Sequence, residues 1–378
     1  MVVSGQDSQE NTALKVELMP TYRPSKWQLI ACVLAIASHL TADRTLAAGG
    51  YKWVELGTLP GGSGIARGLS NSGGVAGRSG SLHGSGTHAF VWTPDRNTED
   101  IRALPGGEDS RAVSINTHGQ VVGFSNTQTS LHAFIWTRQG GIQDLGLLAG
   151  DFGSKAYAIN DAGGVVGSSS GPRGIRAFIW TEGGGMRELV PLPGATYTEA
   201  LGVNNLGDVV GTSGTSQIRH AVLWSSSGGI EDLGVLPNDA SSAANAINDA
   251  GEVVGASVGL YGSRAFIWTR SQGMHDLGAL AGMSETEALA INKGGDVVGT
   301  SGDKVNVRGF LWSRTAGIQD LNALVSKNFP VVLEGGFGVN DQGQIIAIGN
   351  VMNMPGQNRT GAQVHHSSPI RMFLLTPE

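Results

Sequence analysis

The chain has 378 residues, of which 59 are glycine, 40% are hydrophobic and only 15% are charged. This hydrophobic share excludes a disordered low-complexity chain, and the glycines do not recur at every third position, which excludes a collagen helix. The formal net charge is −6, and no long basic run offers an electrostatic surface for nucleic acid. A turn-rich, all-β protein remains.

Residues 1–48 are predicted to be an N-terminal extension that contains a secretory signal peptide. A basic flank precedes the apolar run Trp27–Leu40, and small residues near its end provide a cleavage site. These are the parts of a signal peptide, so we predict cleavage near Ala37 or Ala48 and an extracellular, periplasmic or cell-envelope location. Two alternatives stay open, lipid attachment at Cys32 and an uncleaved membrane anchor, and the anchor would be the only membrane contact.

Residues 49–378 are predicted to form a single domain of 44-residue repeats. Six tryptophans recur at intervals of 44 residues, namely Trp92, Trp136, Trp180, Trp224, Trp268 and Trp312. Each repeat contains four phrases, which we label A (AxAIN), B (VVGxS), C (AFIW) and D (GIQDL). Because β-branched and aromatic residues fill these phrases and glycine or Asx turns separate them, each phrase predicts a short antiparallel strand.

The two ends of the repeat region predict a ring. Four strands in about 40 to 45 residues are typical of a propeller blade. The region opens with a lone D strand, residues 52–57, and ends with A, B and C but no D. In a closed ring the first strand can supply the D strand that the last repeat lacks, whereas a solenoid has no need of this. We therefore predict a seven-bladed β-propeller of four-stranded blades, closed by residues 52–57 joining the C-terminal blade.

Charged residues recur in phase with the strands. A potential cation opens every C strand, and an acid follows twelve residues later in all copies but the last, whose Arg371 is matched to Glu55 in the lone D strand. Diagonal neighbours in a C–D hairpin can form ion pairs. The predicted pairs are His88–Asp100, His132–Asp144, Arg176–Glu188, His220–Asp232, Arg264–Asp276, Arg308–Asp320 and Arg371–Glu55. The alternative is solvated charges that never meet.

The phrase His-Ala-Phe at 88–90 and 132–134, together with D-L-G-x-L and A-I-N-x-x-G-x-V-V-G, resembles the HAF family of extracellular repeat proteins. The resemblance covers residues 51–376. Departures from the pattern are Val222 in place of Phe, Leu375 in place of Trp, Ala347 in place of Gly, and a long insertion in the last copy. The resemblance implies export and a repeat fold. It implies no reaction, and no catalytic residue is carried over.

Few residues suggest chemistry. A repeated asparagine has too few neighbouring carboxylates for calcium and is predicted to form turns; the series is Asn71, Asn116, Asn160, Asn204, Asn248, Asn292 and Asn340. The tryptophans are predicted to be core rather than a stacking platform. The pair His365-His366 lacks a third ligand, so we predict no metal site. No nucleophile motif is recognised and no cofactor is implied.

The B–C and D–A loops differ most between copies and would share one face, where binding residues are commonly found. The contact candidates on this face are Arg111, Phe152, Tyr197, Tyr261, Arg359 and His365. The leading hypothesis is an exported, non-enzymatic, monomeric scaffold that binds a protein or a surface or matrix glycan. One alternative is an extracellular carbohydrate-active hydrolase or lyase using Glu199, Glu285, Glu287 and Glu334. A second alternative is a purely structural envelope protein.

Overall fold

The computed structural model describes residues 50–60, 63–80, 86–303, 305–350 and 370–378. Within these ranges the chain is all-β, and the one helix, α1 (Leu321–Leu324), has a single turn. No helix in the described part is long and apolar enough to cross a membrane. The predicted signal peptide and its cleavage sites lie outside these residues, as do Arg359 and His365.

Twenty-eight strands follow one another along the described chain. In order they are β1 (Tyr51–Glu55), β2 (Gly64–Leu69), β3 (Val75–Gly80), β4 (Thr87–Thr93), β5 (Asn97–Arg102), β6 (Ser110–Ile115), β7 (Val121–Asn126), β8 (Leu131–Thr137), β9 (Gly141–Asp144), β10 (Gly153–Ile159), β11 (Val165–Gly171), β12 (Gly174–Thr181), β13 (Gly185–Glu188), β14 (Tyr197–Val203), β15 (Val209–Gly214), β16 (Arg219–Trp224), β17 (Ile230–Gly234), β18 (Asp239–Ile247), β19 (Val253–Gly259), β20 (Gly262–Thr269), β21 (Gly273–Asp276), β22 (Glu285–Ile291), β23 (Val297–Gly302), β24 (Val307–Ser313), β25 (Gly317–Asp320), β26 (Val332–Val339), β27 (Ile345–Asn350) and β28 (Ile370–Pro377).

Five sheets contain four strands each, and a sixth contains eight. The eight-stranded sheet consists of β10–β13 and β14–β17, which are joined by one parallel bridge between Ile175 and Tyr197. The strands therefore form seven sets of four. Sets 1 to 6 begin at β2, β6, β10, β14, β18 and β22, and set 7 contains β26, β27, β28 and β1.

The first strand of the chain completes the last set. β1 pairs antiparallel with β28 in a register that places Tyr51 opposite Pro377 and Glu55 opposite Phe373. The A-position strands also contact one another in sequence, from β2 through β6, β10, β14, β18 and β22 to β26, and β26 contacts β2.

The hydrophobic core lies between consecutive sets. Because side chains alternate between the two faces of a strand, Phe134 and Trp136 of β8 pack against set 1, whereas Ala133 and Ile135 pack against set 3. Seven clusters repeat this arrangement, and one of them joins Met372 and Leu374 of set 7 to Trp92 of set 1. The repeated tryptophans are core residues, buried in five copies and half-buried at Trp312.

The glycine of the VVG phrase is required by close backbone approach. A Cβ at Gly167 would lie 2.0 Å from the carbonyl oxygen of Lys155 on the neighbouring A strand, next to a bulge in that strand. Equivalent contacts of 1.9 to 2.0 Å occur at Gly123, Gly211, Gly255 and Gly299. A larger residue would separate A from B, so these glycines fix the A–B hairpin of sets 2 to 6.

Candidate functional site

The repeated asparagine links six of the seven sets to the next. Asn160 accepts a hydrogen bond from the Gly164 amide at 2.8 Å, which closes its A–B turn, and donates to the Asn204 carbonyl in the next set at 2.9 Å. The same donation runs from Asn116, Asn204, Asn248, Asn292 and Asn340, the last to the Ser70 carbonyl at 3.2 Å.

The first set departs from the asparagine series predicted from the sequence. Ser70, not Asn71, occupies the turn-closing position, because its hydroxyl accepts from the Gly74 amide at 3.0 Å. Asn71 stands one residue later, where it donates to Asp341 at 2.8 Å. The two polar residues are adjacent in sequence, and only the turn geometry separates their roles.

A cavity of about 180 Å³ lies where the A–B turns of all seven sets meet. Carboxylates on its rim accept backbone hydrogen bonds from the preceding set, as Asp249 does from Asn205 at 2.8 Å. Among the described residues no group of three His, Cys, Asp or Glu side chains is placed to hold a metal. The cavity is smaller than the roughly 300–1,000 Å³ of a typical organic ligand pocket, and its polar groups serve to join the sets.

Six of the seven sequence-predicted charge pairs lie within ion-pair distance. The nitrogen–oxygen distances are 3.0 Å for His88–Asp100, 2.7 Å for His132–Asp144, 2.9 Å for His220–Asp232 and 3.1 Å for Arg264–Asp276. Arg176 contacts Glu188, and Arg371 donates from Nε to Glu55 at 2.6 Å. The last of these pairs joins residues from the two ends of the repeat region.

The seventh predicted pair is not formed in the described structure. Oδ1 of Asp320 accepts from the backbone nitrogen of Asn322 at 2.8 Å and also from its side-chain nitrogen at 2.7 Å. The backbone contact is not special to this copy, since Oδ1 of Asp144 accepts from the Gly146 amide while Oδ2 of Asp144 contacts His132. The difference at Asp320 is the added bond to the Asn322 side chain.

The four glutamates suggested for catalysis lie on the A strands of three sets, with Glu199 on β14, Glu285 and Glu287 on β22, and Glu334 on β26. Glu199 accepts from Tyr157 at 3.1 Å and from Tyr197 at 2.6 Å, whereas Glu287 accepts from Asn245 at 3.1 Å in a different set. Burial raises the pKa of Glu287 although Asn245 and the more distant Arg67 lower it. Glu334 contacts Asn350, and Glu285 begins β22.

The loop-face candidates separate into strand and loop residues. Arg111 and Tyr197 lie on strands β6 and β14, not on loops, because strand pairing begins earlier than the A phrase indicated. Phe152 lies in the D–A loop before β10 and Tyr261 in the B–C loop after β19, with 63% and 93% of their surfaces exposed. Sequence reasoning named only Tyr261 among the exposed B–C tip residues and missed Ile218, Leu260 and Val305.

Buried hydroxyls hold the loop face in place. The serine of the VVGxS phrase accepts from a loop amide, as Ser125 does from Leu104 at 2.9 Å and Ser257 from Leu236 at 3.0 Å. A second hydroxyl, such as Ser154, accepts from the C strand at Ala133. These serines are almost fully buried, so the D–A connections are anchored to the sheets and give the face a fixed frame.

A scan against family models and a search of curated proteins find no match. Among solved structures, virginiamycin B lyase from Staphylococcus aureus matches at 12% identity over 86% of this chain and 98% of its own, with a TM-score of 0.52. A streptogramin B lyase matches at 12% identity over 87% and 98%, with a TM-score of 0.52. A puromycin hydrolase matches at 13% identity over 76% of this chain and 50% of its own, with a TM-score of 0.53. At such identities the similarity concerns the fold, which is all-β and propeller-like.

Proposed function

We propose that the seven sets form a closed seven-bladed β-propeller. The supporting observations are the pairing of β1 with β28, the A-strand contact from β26 back to β2, and the core cluster that joins set 7 to set 1. The asparagine hydrogen bond from Asn340 to Ser70 joins the same two sets.

We propose that this ring is an exported, non-enzymatic scaffold, of the kind that the HAF resemblance implies, and that it binds a protein through its loop face. Four exposed apolar residues carry the proposal: Ile218, Leu260, Tyr261 and Val305, which we call the apolar arc. They occupy equivalent B–C loops of sets 4, 5 and 6, with exposed fractions of 54%, 94%, 93% and 84%. Exposed apolar side chains on loops that a rigid frame holds in place are common binding residues.

The chemistry of the apolar arc favours a protein over a glycan. Three of its members are aliphatic and offer no hydrogen bond to sugar hydroxyls, and only Tyr261 is aromatic. Full burial of a Leu, Ile or Val side chain is worth about 1.5–3 kcal/mol. A partner with its own apolar side chains can make this contact, whereas a glycan would leave its hydroxyls without partners.

Substitution of the arc tests the proposal. We expect Leu260→Ser with Tyr261→Ser to weaken binding of a protein captured from envelope and secreted fractions by about tenfold or more, since two exposed anchors are lost. Affinity would be measured with the purified captured protein by biolayer interferometry. Leu206→Ser is the matched control, because Leu206 is 63% exposed but lies on an A–B turn at the opposite end of the strands.

Three results would contradict the protein-binding proposal. The first is an equal loss of affinity in the Leu206→Ser control. The second is binding on a glycan array with no protein captured. The third is turnover of a polysaccharide that is lost in Glu199→Gln or Glu287→Gln, which would instead favour the carbohydrate-active enzyme.

A further inference from the structure

The A strands would line the inside of the proposed ring, and we call them the inner strands. Two positions on neighbouring inner strands lie side by side. Six of the seven A strands carry a buried alanine, and in two pairs of neighbouring sets the residue after it in one set bonds to the residue before it in the next. Tyr157 thus donates to Glu199 at 3.1 Å, and Asn245 donates to Glu287 at 3.1 Å. In both contacts a neutral donor bonds to a carboxylate. We call this place between neighbouring inner strands the junction.

The same junction between sets 1 and 2 brings together two cations. Arg67 follows the buried Ala66 on β2, and Arg111 precedes the buried Ala112 on the adjacent strand β6. Desolvation lowers the pKa of Arg67, the negative charge of Glu287 opposes this, and the positive charge of Arg111 lowers the pKa further. Like charges at a hydrogen-bonding junction are unfavourable unless an anion lies between them.

A third cation extends the cluster into set 3. Lys155 occupies the position on β10 that Arg111 occupies on β6, and both cations lie over the same Phe124 ring, at 5.5 and 5.8 Å from its centroid. Arg67 lies 4.9 Å from the centroid of Phe337. The aromatic faces hold the three side chains at the inner strands and leave their hydrogen-bond donors available, since a ring face takes up charge but satisfies few N–H groups.

These cations differ from basic residues such as Arg138 and Arg270, which form ion pairs with Glu99 and Glu231 at 3.0 Å. In the part of the chain that the structure describes, no carboxylate lies within ion-pair distance of Arg67, Arg111 or Lys155. The chain as a whole has a net charge of −6, so this is a local excess of positive charge at the inner edge of three consecutive sets.

We propose that Arg67, Arg111 and Lys155 form a binding site for a small ligand that carries an oxyanion, either a carboxylate or a phosphate group. Guanidinium groups bind both oxyanions with paired hydrogen bonds, and a lysine adds a third donor group. An anion at this place removes the repulsion between Arg67 and Arg111. The site is separate from the apolar arc and does not depend on it.

Titration calorimetry of the full chain with inorganic phosphate and, separately, with succinate tests this site at low ionic strength. We expect saturable binding of at least one of these anions, weakened about tenfold or more by Arg67→Gln and by Arg111→Gln. The phosphate and succinate arms distinguish the two sources of oxyanion. Arg138→Gln is the control, since it removes the same charge from an exposed ion pair, and it should bind as the wild type does.

Thermal melting gives an independent readout that does not rely on heats of binding. The bound anion should raise the melting temperature of the wild type and of Arg138→Gln, and it should have no such effect on folded Arg111→Gln. Lys155→Gln provides a further variant if Arg111→Gln fails to melt cooperatively. Absence of binding by both anions, or an equal loss in Arg138→Gln, would overturn the proposal.

Discussion

Replacing Trp53 with alanine is expected to lower the free energy of unfolding by about 3–5 kcal/mol. Trp53 is buried on β1, and its ring packs edge-on against Phe329 at 5.2 Å and Phe373 at 5.8 Å. The substitution therefore leaves a cavity where the first strand of the chain meets the last set. Urea denaturation followed by circular dichroism measures the change.

Lys52→Ala is the matched control for Trp53. Lys52 is the neighbour of Trp53 on β1 but its side chain is exposed, so its loss should change the unfolding free energy by less than about 0.5 kcal/mol. Equal, small effects of the two substitutions would contradict a stabilising role for β1 in set 7.

Removing the carboxylate of Asp151 is expected to destabilise the protein by about 3 kcal/mol, because a buried guanidinium loses its buried counter-charge and keeps only the more exposed Glu188. Arg176 lies 2.8 Å from Asp151, and their side chains are only 8% and 1% exposed. Burial opposes the charged form of Arg176, but hydrogen bonds and charge from Asp151 and Glu188 outweigh it and raise the pKa of Arg176. Asp151→Ala would be measured by urea denaturation.

Glu188→Gln is the control for Asp151, because Glu188 contacts the same guanidinium but is 36% exposed. Exposed ion pairs contribute only about 0–1 kcal/mol, so this variant should be nearly as stable as the wild type. The double variant Asp151→Leu with Arg176→Met should recover much of the loss. A larger effect at Glu188 than at Asp151 would refute the buried-pair interpretation.

The strand phrases could be predicted from sequence because their apolar residues repeat with a fixed period. The two Val residues of phrase B, such as Val121 and Val122, face opposite neighbouring sets, which explains why both positions are apolar. The twelve-residue offset of the charge pairs follows from the C–D hairpin, where Phe134 lies opposite Asp144. At the exception, Asp320, the D-L-G phrase has Asn322 in place of glycine, and the Asn322 side chain donates to the carboxylate of Asp320.

The inner-strand cluster could not be predicted in the same way. Arg67, Arg111 and Lys155 stand at positions that vary between copies, and their proximity depends on the bulged register of each A strand and on the order of the sets. The apolar arc lies in short loops whose sequences differ between copies, where single Ile, Leu or Val residues give no periodic signal. The exposure of these side chains is apparent only from the folded structure.

A disulfide across the β1–β28 junction tests the closed ring most directly. Lys52 lies opposite Thr376, and antiparallel partners have Cα atoms about 4.5–5.5 Å apart, within reach of a disulfide. The chain's only native cysteine, Cys32, would be replaced by serine. Oxidised Lys52→Cys/Thr376→Cys should yield an internally crosslinked monomer that migrates faster on a non-reducing gel. Free thiols or only intermolecular crosslinks would contradict closure by the first strand.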